Sequence, residues 1–298
     1  MLNKLNASGA SFDVVFPGPS VLSRMVYGKL LQPFNNSYLP NVKNAWPEYQ
    51  DPWYDQGSQY TVPYTVYTTG VGYRSDVVTD PSEGYMMVWN ADYAGKVGVI
   101  DDSGEALGMA LLAWGITEDI NTASPEDVNA AKDKLNELID LVDVKIDITQ
   151  YETIANGKFS VHQAWSGDMI AARWYLPKGE TTDVLGYWVP DDESQRVIGN
   201  DNIAIPKSSE SPVLAHTFLN YMLDNAVAEK NFNWNGYQPP LNKLNAKYLI
   251  DGGYISENLM SAVVVPDDFT KGKQFYEQTV AVQNMWLTAF QEFKSGGS

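Results

Sequence analysis

The sequence predicts an α/β protein whose two lobes face each other across a cleft, and three observations carry that expectation. Short β-rich runs alternate with amphipathic helical stretches, the pattern of an α/β chain. Two of the β-rich runs, Thr61 to Tyr73 and Asn200 to Ile205, read as strands that cross from one lobe to the other. The chain has 298 residues, of which 44% are hydrophobic, and that is enough to build a core in each of two lobes.

Taken in order, Phe12-Asp13-Val14-Val15-Phe16 is a short apolar run stopped by Pro17-Gly18-Pro19, so it reads as a buried strand emptying into a loop. TVPYTVYTTGVGY, from Thr61 to Tyr73, is rich in β-branched and aromatic residues and ends in glycines, as a long strand should. Val97 to Ile100 is a strand that delivers Asp101 and Asp102 to its carboxyl end. Ser124-Pro125-Glu126-Asp127 sets a capping serine before a proline at the first helical position, with an acid at the third, a helix start signal. Val128, Ala131, Leu135, Leu138, Ile139 and Val142 follow at helical spacing. Gly157 reads as the left-handed cap of a helix ending near Ile154. Phe159 to Ala164 is a strand leading to Trp165-Ser166-Gly167-Asp168. Ser211-Pro212 opens a further helix, with Leu214, Phe218, Leu219 and Met222 as its expected inward stripe. These signals assign residues 1–68 and 206–240 to the first lobe, and residues 69–205 and 241–298 to the second.

Composition narrows the function classes. With a formal charge of −17, the chain is a poor candidate for binding nucleic acid, which requires a positive face. A cationic ligand would be drawn to such a surface, although solubility alone also accounts for the charge. Cysteine is absent, which excludes thiolate catalysis and cysteine-ligated metal. No run of eighteen apolar residues occurs, and Met1-Leu2-Asn3-Lys4-Leu5 lacks the apolar stretch of a secretory leader. There is no Gly-x-Ser-x-Gly elbow, His-Glu-x-x-His or phosphate-binding loop. Gly70-Val71-Gly72 lacks the third glycine of a dinucleotide fingerprint. His162 and His216 are the only histidines, and both read as packing or surface residues. The expectation is therefore no cofactor, no metal and no catalytic residue.

Four groups of residues could carry chemistry. Asp101-Asp102-Ser103-Gly104-Glu105 stands where a strand end becomes a helix start. Open α/β sheets bind ligands at such strand ends, yet acids there also cap helices. Trp165 follows a buried strand, where it is either core or cleft wall. Asp201 precedes the apolar run to Ile205, as a turn residue or a cleft charge. Asn235-Gly236-Tyr237-Gln238-Pro239-Pro240 presents a tyrosine on a rigid loop or is a surface turn.

Together these stretches resemble the periplasmic spermidine/putrescine-binding proteins of ABC importers and their γ-aminobutyrate (GABA)-binding relatives. SFDVVFPGPSVLSRM, YTVPYTVYTTGVGYRSDVV, VGVIDDSGEALGMAL, FSVHQAWSGD, NDNIAIPKSS and NGYQPPLN occur in the family's order. The resemblance implies a two-lobed periplasmic-binding-protein fold of type II that closes on a hinge. It places the amine-binding acids at Asp102, Glu105 and Asp201 and the aromatic walls at Trp165 and Tyr237. Tyr67 of the first hinge strand and Ser20 of the Gly18–Ser20 loop would complete the pocket. An ammonium offers three donors and no acceptor, so carboxylates must receive it, while aromatic faces cover its methylenes. The implied partners are a small amine and the membrane permease, with the protein monomeric and either periplasmic or lipid-anchored outside the cytoplasm.

The chain also departs from the family. Polyamine binders usually carry tryptophan where this chain has Gly199, and the GPS loop lacks their aromatic residue. Arg173 could instead hold a ligand carboxylate bidentately, which would suit an ω-amino acid such as GABA, or it could be a structural cation. Met1 to Asn6 reads as the end of a family segment, without the opening strand and helix, and Lys294 to Ser298 ends like a linker. This suggests a truncated, split or permuted relative, with a gap in the first lobe's sheet near Val14. Rival readings are a receptor for a sugar or compatible solute, or an enzyme on a two-lobed fold, such as a deaminase or synthase.

Overall fold

The computed structural model describes residues 12–296, so the readings of Met1 to Asn6 and of Gly297-Ser298 lie outside it. Strand β1 (Thr61–Arg74) is the axis of the molecule. Its first half pairs antiparallel with β6 (Val197–Ala204), from Thr61 opposite Ala204 to Thr69 opposite Val197. Its second half leaves β6 and pairs on one side with β4 (Val161–Trp165) and on the other with β5 (Leu185–Trp188). A parallel set, β3 (Lys145–Asp147) beside β2 (Val97–Ile100) beside β4, completes the order β3-β2-β4-β1-β5. The two expected crossover strands therefore run antiparallel, side by side, as one connecting ribbon. Its register shifts between Pro63 and Thr65, where proline has no N–H to give the ladder. Val15 bonds reciprocally with Ala204, each N–H to the other's carbonyl at 3.0 Å. Among the described residues Ala204 is the partner given to Val15.

Helices cover this sheet. Helix α1 (Pro19–Tyr27) starts in the Gly18-Pro19 loop, and α2 (Ser103–Ala113) follows β2 directly. Helix α3 (Pro125–Val142) is capped as its sequence predicts, since the Ser124 hydroxyl accepts from the Asp127 N–H and the Asp127 carboxylate accepts from the Ser124 N–H. Its buried stripe is Val128, Ala131, Leu135, Leu138 and Val142. Short helices α4 (Gln150–Thr153) and α5 (Ser166–Ala171) flank β4, and Gly157 takes the expected left-handed conformation at φ 74°.

Helix α6 (Pro212–Met222) corrects one expectation, because its inward face is Ala215, His216 and Leu219, whereas Leu214 is 67% and Phe218 37% exposed. Counting apolar residues alone points the helix the wrong way here. His216 is buried at no polar cost, since its Nδ1 lies 2.7 Å from the Pro212 carbonyl and its Nε2 accepts from the Asn35 N–H. Helices α7 (Asn225–Asn235), α8 (Ala246–Asp251), α9 (Pro266–Lys271) and α10 (Val280–Lys294) complete the chain.

Two large apolar clusters hold these elements. One gathers Val71, Val97, Val99, Leu107, Leu111, Leu135 and Leu138 with Phe290 and Phe293 of α10. The other holds Val62, Ile203, Leu219 and Phe232 together with Met169, Leu185 and Tyr187, and Leu241, Leu244 and Leu249 join it. This second cluster draws on both expected lobes, so apolar packing runs through the ribbon without a break.

Candidate functional site

The carboxyl end of β2 turns straight into α2, and Asp102 is the cap of that helix. Its Oδ1 accepts from the N–H groups of Gly104 and Glu105, at 2.8 and 3.0 Å. Both readings of the acidic stretch are thus visible in one side chain, because a carboxylate has capacity beyond the oxygen used for capping. Asp101 is different: its Oδ1 receives the Lys294 ammonium from α10. One turn into α2, Glu105 accepts at 2.9 Å from the Trp165 indole N–H. The adjacent strand fixes this geometry, since Gln163 of β4 donates its amide to the Glu105 carbonyl at 2.7 Å. Burial, and then the neighbouring charge of Asp102, push the Glu105 carboxyl up to about 7.

The connecting ribbon supplies the next residues. Asp201 of β6 lies opposite Thr65 of β1, whose hydroxyl donates to Oδ2 at 3.2 Å. Burial raises the Asp201 carboxyl above its ordinary value, with the Thr65 bond opposing that shift. Two residues further along β1, Tyr67 lies opposite Gly199, and a Cβ on Gly199 would stand 2.4 Å from the Tyr67 ring. The missing side chain at Gly199 therefore makes room for Tyr67. The Tyr67 ring packs edge-on against Trp165 at 6.1 Å and Tyr237 at 5.6 Å between centroids.

Tyr237 reaches this position through glycine. Gly236 ends α7 at φ 74°, and its N–H bonds the Phe232 carbonyl at 2.8 Å. A Cβ there would lie 2.1 Å from the Gly167 carbonyl, so only glycine lets this turn dock against α5. The loop is then pinned by Gln238, whose amide exchanges two 2.9 Å bonds with the Val264 backbone. The Tyr237 hydroxyl donates to Asp168 at 2.8 Å, and burial pushes the Asp168 carboxyl up to about 7.

Seven of the eight residues singled out in the sequence line two cavities that share Tyr67. Ser20, Tyr67, Asp102 and Glu105 line one of about 390 Å³. Tyr67, Trp165, Asp201 and Tyr237 line a second of about 260 Å³, with Tyr64, Thr65 and Asn235. The Glu105–Trp165 hydrogen bond links the two. Among the described residues, none of Asp102, Glu105 and Asp201 forms an ion pair, in contrast to Asp101. Three carboxylates without a cation thus stand beside aromatic rings, an arrangement whose chemistry suits positive charge.

Arg173 is the eighth residue, and the structure sets it apart. Its guanidinium donates to the Tyr254 carbonyl at 2.7 Å, the Asn233 carbonyl at 2.8 Å and the Asn233 side chain at 3.0 Å. It lines neither cavity, which favours its reading as a structural cation over that of a carboxylate clamp. Gln274, Phe275, Tyr276 and Gln278 also line the larger cavity, and sequence pattern does not single them out. Their segment has no apolar periodicity, and the sole signal was its run of amides and aromatics between Lys273 and Gln278. Among the described residues there is no group of three or more histidines and acids placed to hold a metal, and no helix is long and apolar enough to cross a membrane.

Residues 1–251 match the family described as bacterial extracellular solute-binding protein. The spermidine/putrescine-binding periplasmic protein 1 of Haemophilus influenzae is 27% identical over 289 residues, covering 93% of this chain and 77% of that protein. Among solved structures, the spermidine/putrescine ABC transporter substrate-binding protein of Streptococcus pneumoniae superposes with a TM-score of 0.79 at 21% identity, over 100% of this chain and 88% of that one. A GABA receptor superposes with a TM-score of 0.67 at 18% identity, over 100% and 84%. The fold is therefore the two-lobed α/β fold of periplasmic binding proteins.

Proposed function

The chain belongs to the bacterial extracellular solute-binding proteins, and from that premise we propose that it captures a small aliphatic amine and hands it to the permease of an ABC importer, without turning it over. The observation that carries this reading is the set of Asp102, Glu105 and Asp201, carboxylates without a cationic partner among the described residues, beside Tyr67, Trp165 and Tyr237. Glu105 and Asp201 are half-buried and Asp102 is exposed. A carboxylate partly withdrawn from water and left without a cation is costly, and an ammonium that donates to it reduces that cost. The rings cover methylenes and add a cation–π attraction. Closure of the lobes on the ribbon would then bury the ligand and present a surface to the permease.

The spacing of the acids favours a diamine. Asp201 sits in the smaller cavity while Asp102 and Glu105 sit in the larger, so a charge can be received at each end. An ω-amino acid would need a cation for its carboxylate, and Arg173 is committed elsewhere. Calorimetric titration with putrescine, spermidine, GABA, choline and glutamate tests the proposal. Putrescine or spermidine should bind with the highest affinity and glutamate should not bind. Preference for glutamate or for a neutral solute, or consumption of the ligand on incubation, would overturn it.

A further inference from the structure

Next to Tyr237 lies a further cavity of about 360 Å³, whose lining does not include Tyr67, Trp165 or Asp201. Its walls include Tyr151, Asp168, Trp174, Tyr175 and Trp234, and it shares Asn235 and Tyr237 with the smaller cleft cavity. We propose that this cavity is a second binding site, selective for a small organic ammonium ion with methyl or methylene groups around its charge.

Three observations support the site independently of what occupies the cleft. The first is the chemistry of its walls. Trp174 is 51%, Tyr175 43% and Trp234 72% exposed, so large ring surfaces from α7 and from the segment after α5 stay uncovered around one concavity. The rings are paired, Trp174 with Trp234 at 6.2 Å and Tyr151 with Tyr175 at 4.9 Å between centroids. Aromatic faces grouped in this way attract soft cations, and quaternary ammonium groups above all. The Arg173 guanidinium already stands 5.1 Å from the Trp174 ring, which shows that a cation is accommodated there and leaves Trp234, Tyr151 and Tyr175 for a ligand.

The second observation is charge. Asp168 is buried, and its two hydrogen-bond partners, the Tyr237 hydroxyl and the Gln150 amide N–H, are both neutral. A carboxylate in that position lacks a compensating cation, and a ligand entering between the rings would supply one. The third is an unused acceptor beside it. The Gln150 Oε1 is buried and has no hydrogen-bond partner, although its amide nitrogen is bound to Asp168. A polar atom left open in this way is uncommon, and here it neighbours the carboxylate on which a cation would settle.

Choline and its neutral isostere 3,3-dimethylbutan-1-ol separate this proposal from its rivals. Choline should change the tryptophan fluorescence of the full chain saturably, and the isostere should not. Trp234→Ala, at a mostly exposed position that the fold does not need, should weaken choline tenfold or more, as should Asp168→Asn. Asp201→Asn, which acts in the cleft, should leave this response within twofold. A response lost in Asp201→Asn and kept in Trp234→Ala would place choline in the cleft and overturn the proposal. So would equal binding of the isostere, or no saturable response in the parent.

Discussion

Replacing Glu105 with glutamine should stabilise the ligand-free protein at pH 8 and cripple amine capture, both for one electrostatic reason. The Glu105 carboxyl is held at about 7, against 4.5 for an ordinary glutamate, by burial and by the charge of Asp102. Between those two values the folded protein keeps a proton that the unfolded chain has lost, so stability falls as pH rises through that window. The full shift would amount to about 3 kcal/mol, and partial solvent access reduces it to the order of 1–2 kcal/mol at pH 8. Glutamine keeps an oxygen for the Trp165 indole and carries no charge. Glu105→Gln should therefore melt several degrees above the parent at pH 8, at roughly 2–4 °C per kcal/mol, and close to it at pH 5. Putrescine binding reads the other side. Only ionised Glu105 receives an ammonium, so the parent's apparent affinity should rise about tenfold from pH 6 to pH 8, as the competent fraction grows from roughly a tenth to nine-tenths. The variant should bind weakly, with that tenfold rise removed. Circular dichroism melting at both pH values and calorimetry with putrescine check these outcomes. An equal change in melting temperature at pH 5 and pH 8 would refute the argument.

Further outcomes follow from the same geometry. Asp201→Asn removes a charged acceptor opposite Thr65 and should weaken diamine binding by about 1.5–3 kcal/mol, roughly 10–150-fold, with little change in melting. Arg173→Ala breaks three hydrogen bonds to Tyr254 and Asn233. It should lower stability by about 1–3 kcal/mol and leave GABA and putrescine affinities of the folded protein unaltered, whereas selective loss of GABA would restore its role as a carboxylate clamp. Gly236→Ala forces a Cβ against the Gly167 carbonyl at a positive φ. It should cost more than about 1 kcal/mol in denaturant unfolding and weaken ligand binding by moving Tyr237.

Much of the fold was legible because its signals are local. Ser124 and Asp127 announce a capping box that forms, and Val97 to Ile100 is a strand over the span its residues suggest. Thr61 to Tyr73 reads as one strand because β-branched and aromatic residues continue without a breaker that ends it, and the strand runs one residue further, to Arg74. What its composition cannot show is that the strand changes partners midway, since its partners lie far away in sequence, from Val161 opposite Tyr73 to Ala204 opposite Thr61. The α6 stripe misled for a related reason. Leu214 and Phe218 look like core by hydropathy, but it is His216 that turns inward, where its Nε2 accepts from the Asn35 N–H outside the helix.

The site divides along the same line. Asp102, Glu105 and Asp201 stand out in the sequence because acids beside apolar strands are conspicuous, and the resemblance singles them out, although Asp102 is also the cap of α2. Gly199 looked like a deficit, a missing tryptophan in one wall of the pocket. The structure turns that reading around, because the space over Gly199 is filled by Tyr67 from the paired strand, within 2.4 Å of where a Cβ would be. Tyr67 then contacts Trp165 and Tyr237 and lines both cavities. The space over Gly199 of β6 is thus filled across the ribbon by a ring on β1. That ring lies two residues before Thr69, where β1 changes partners from β6 to β4, so a relative movement of the two halves of β1 would shift Tyr67 against Trp165 and Tyr237.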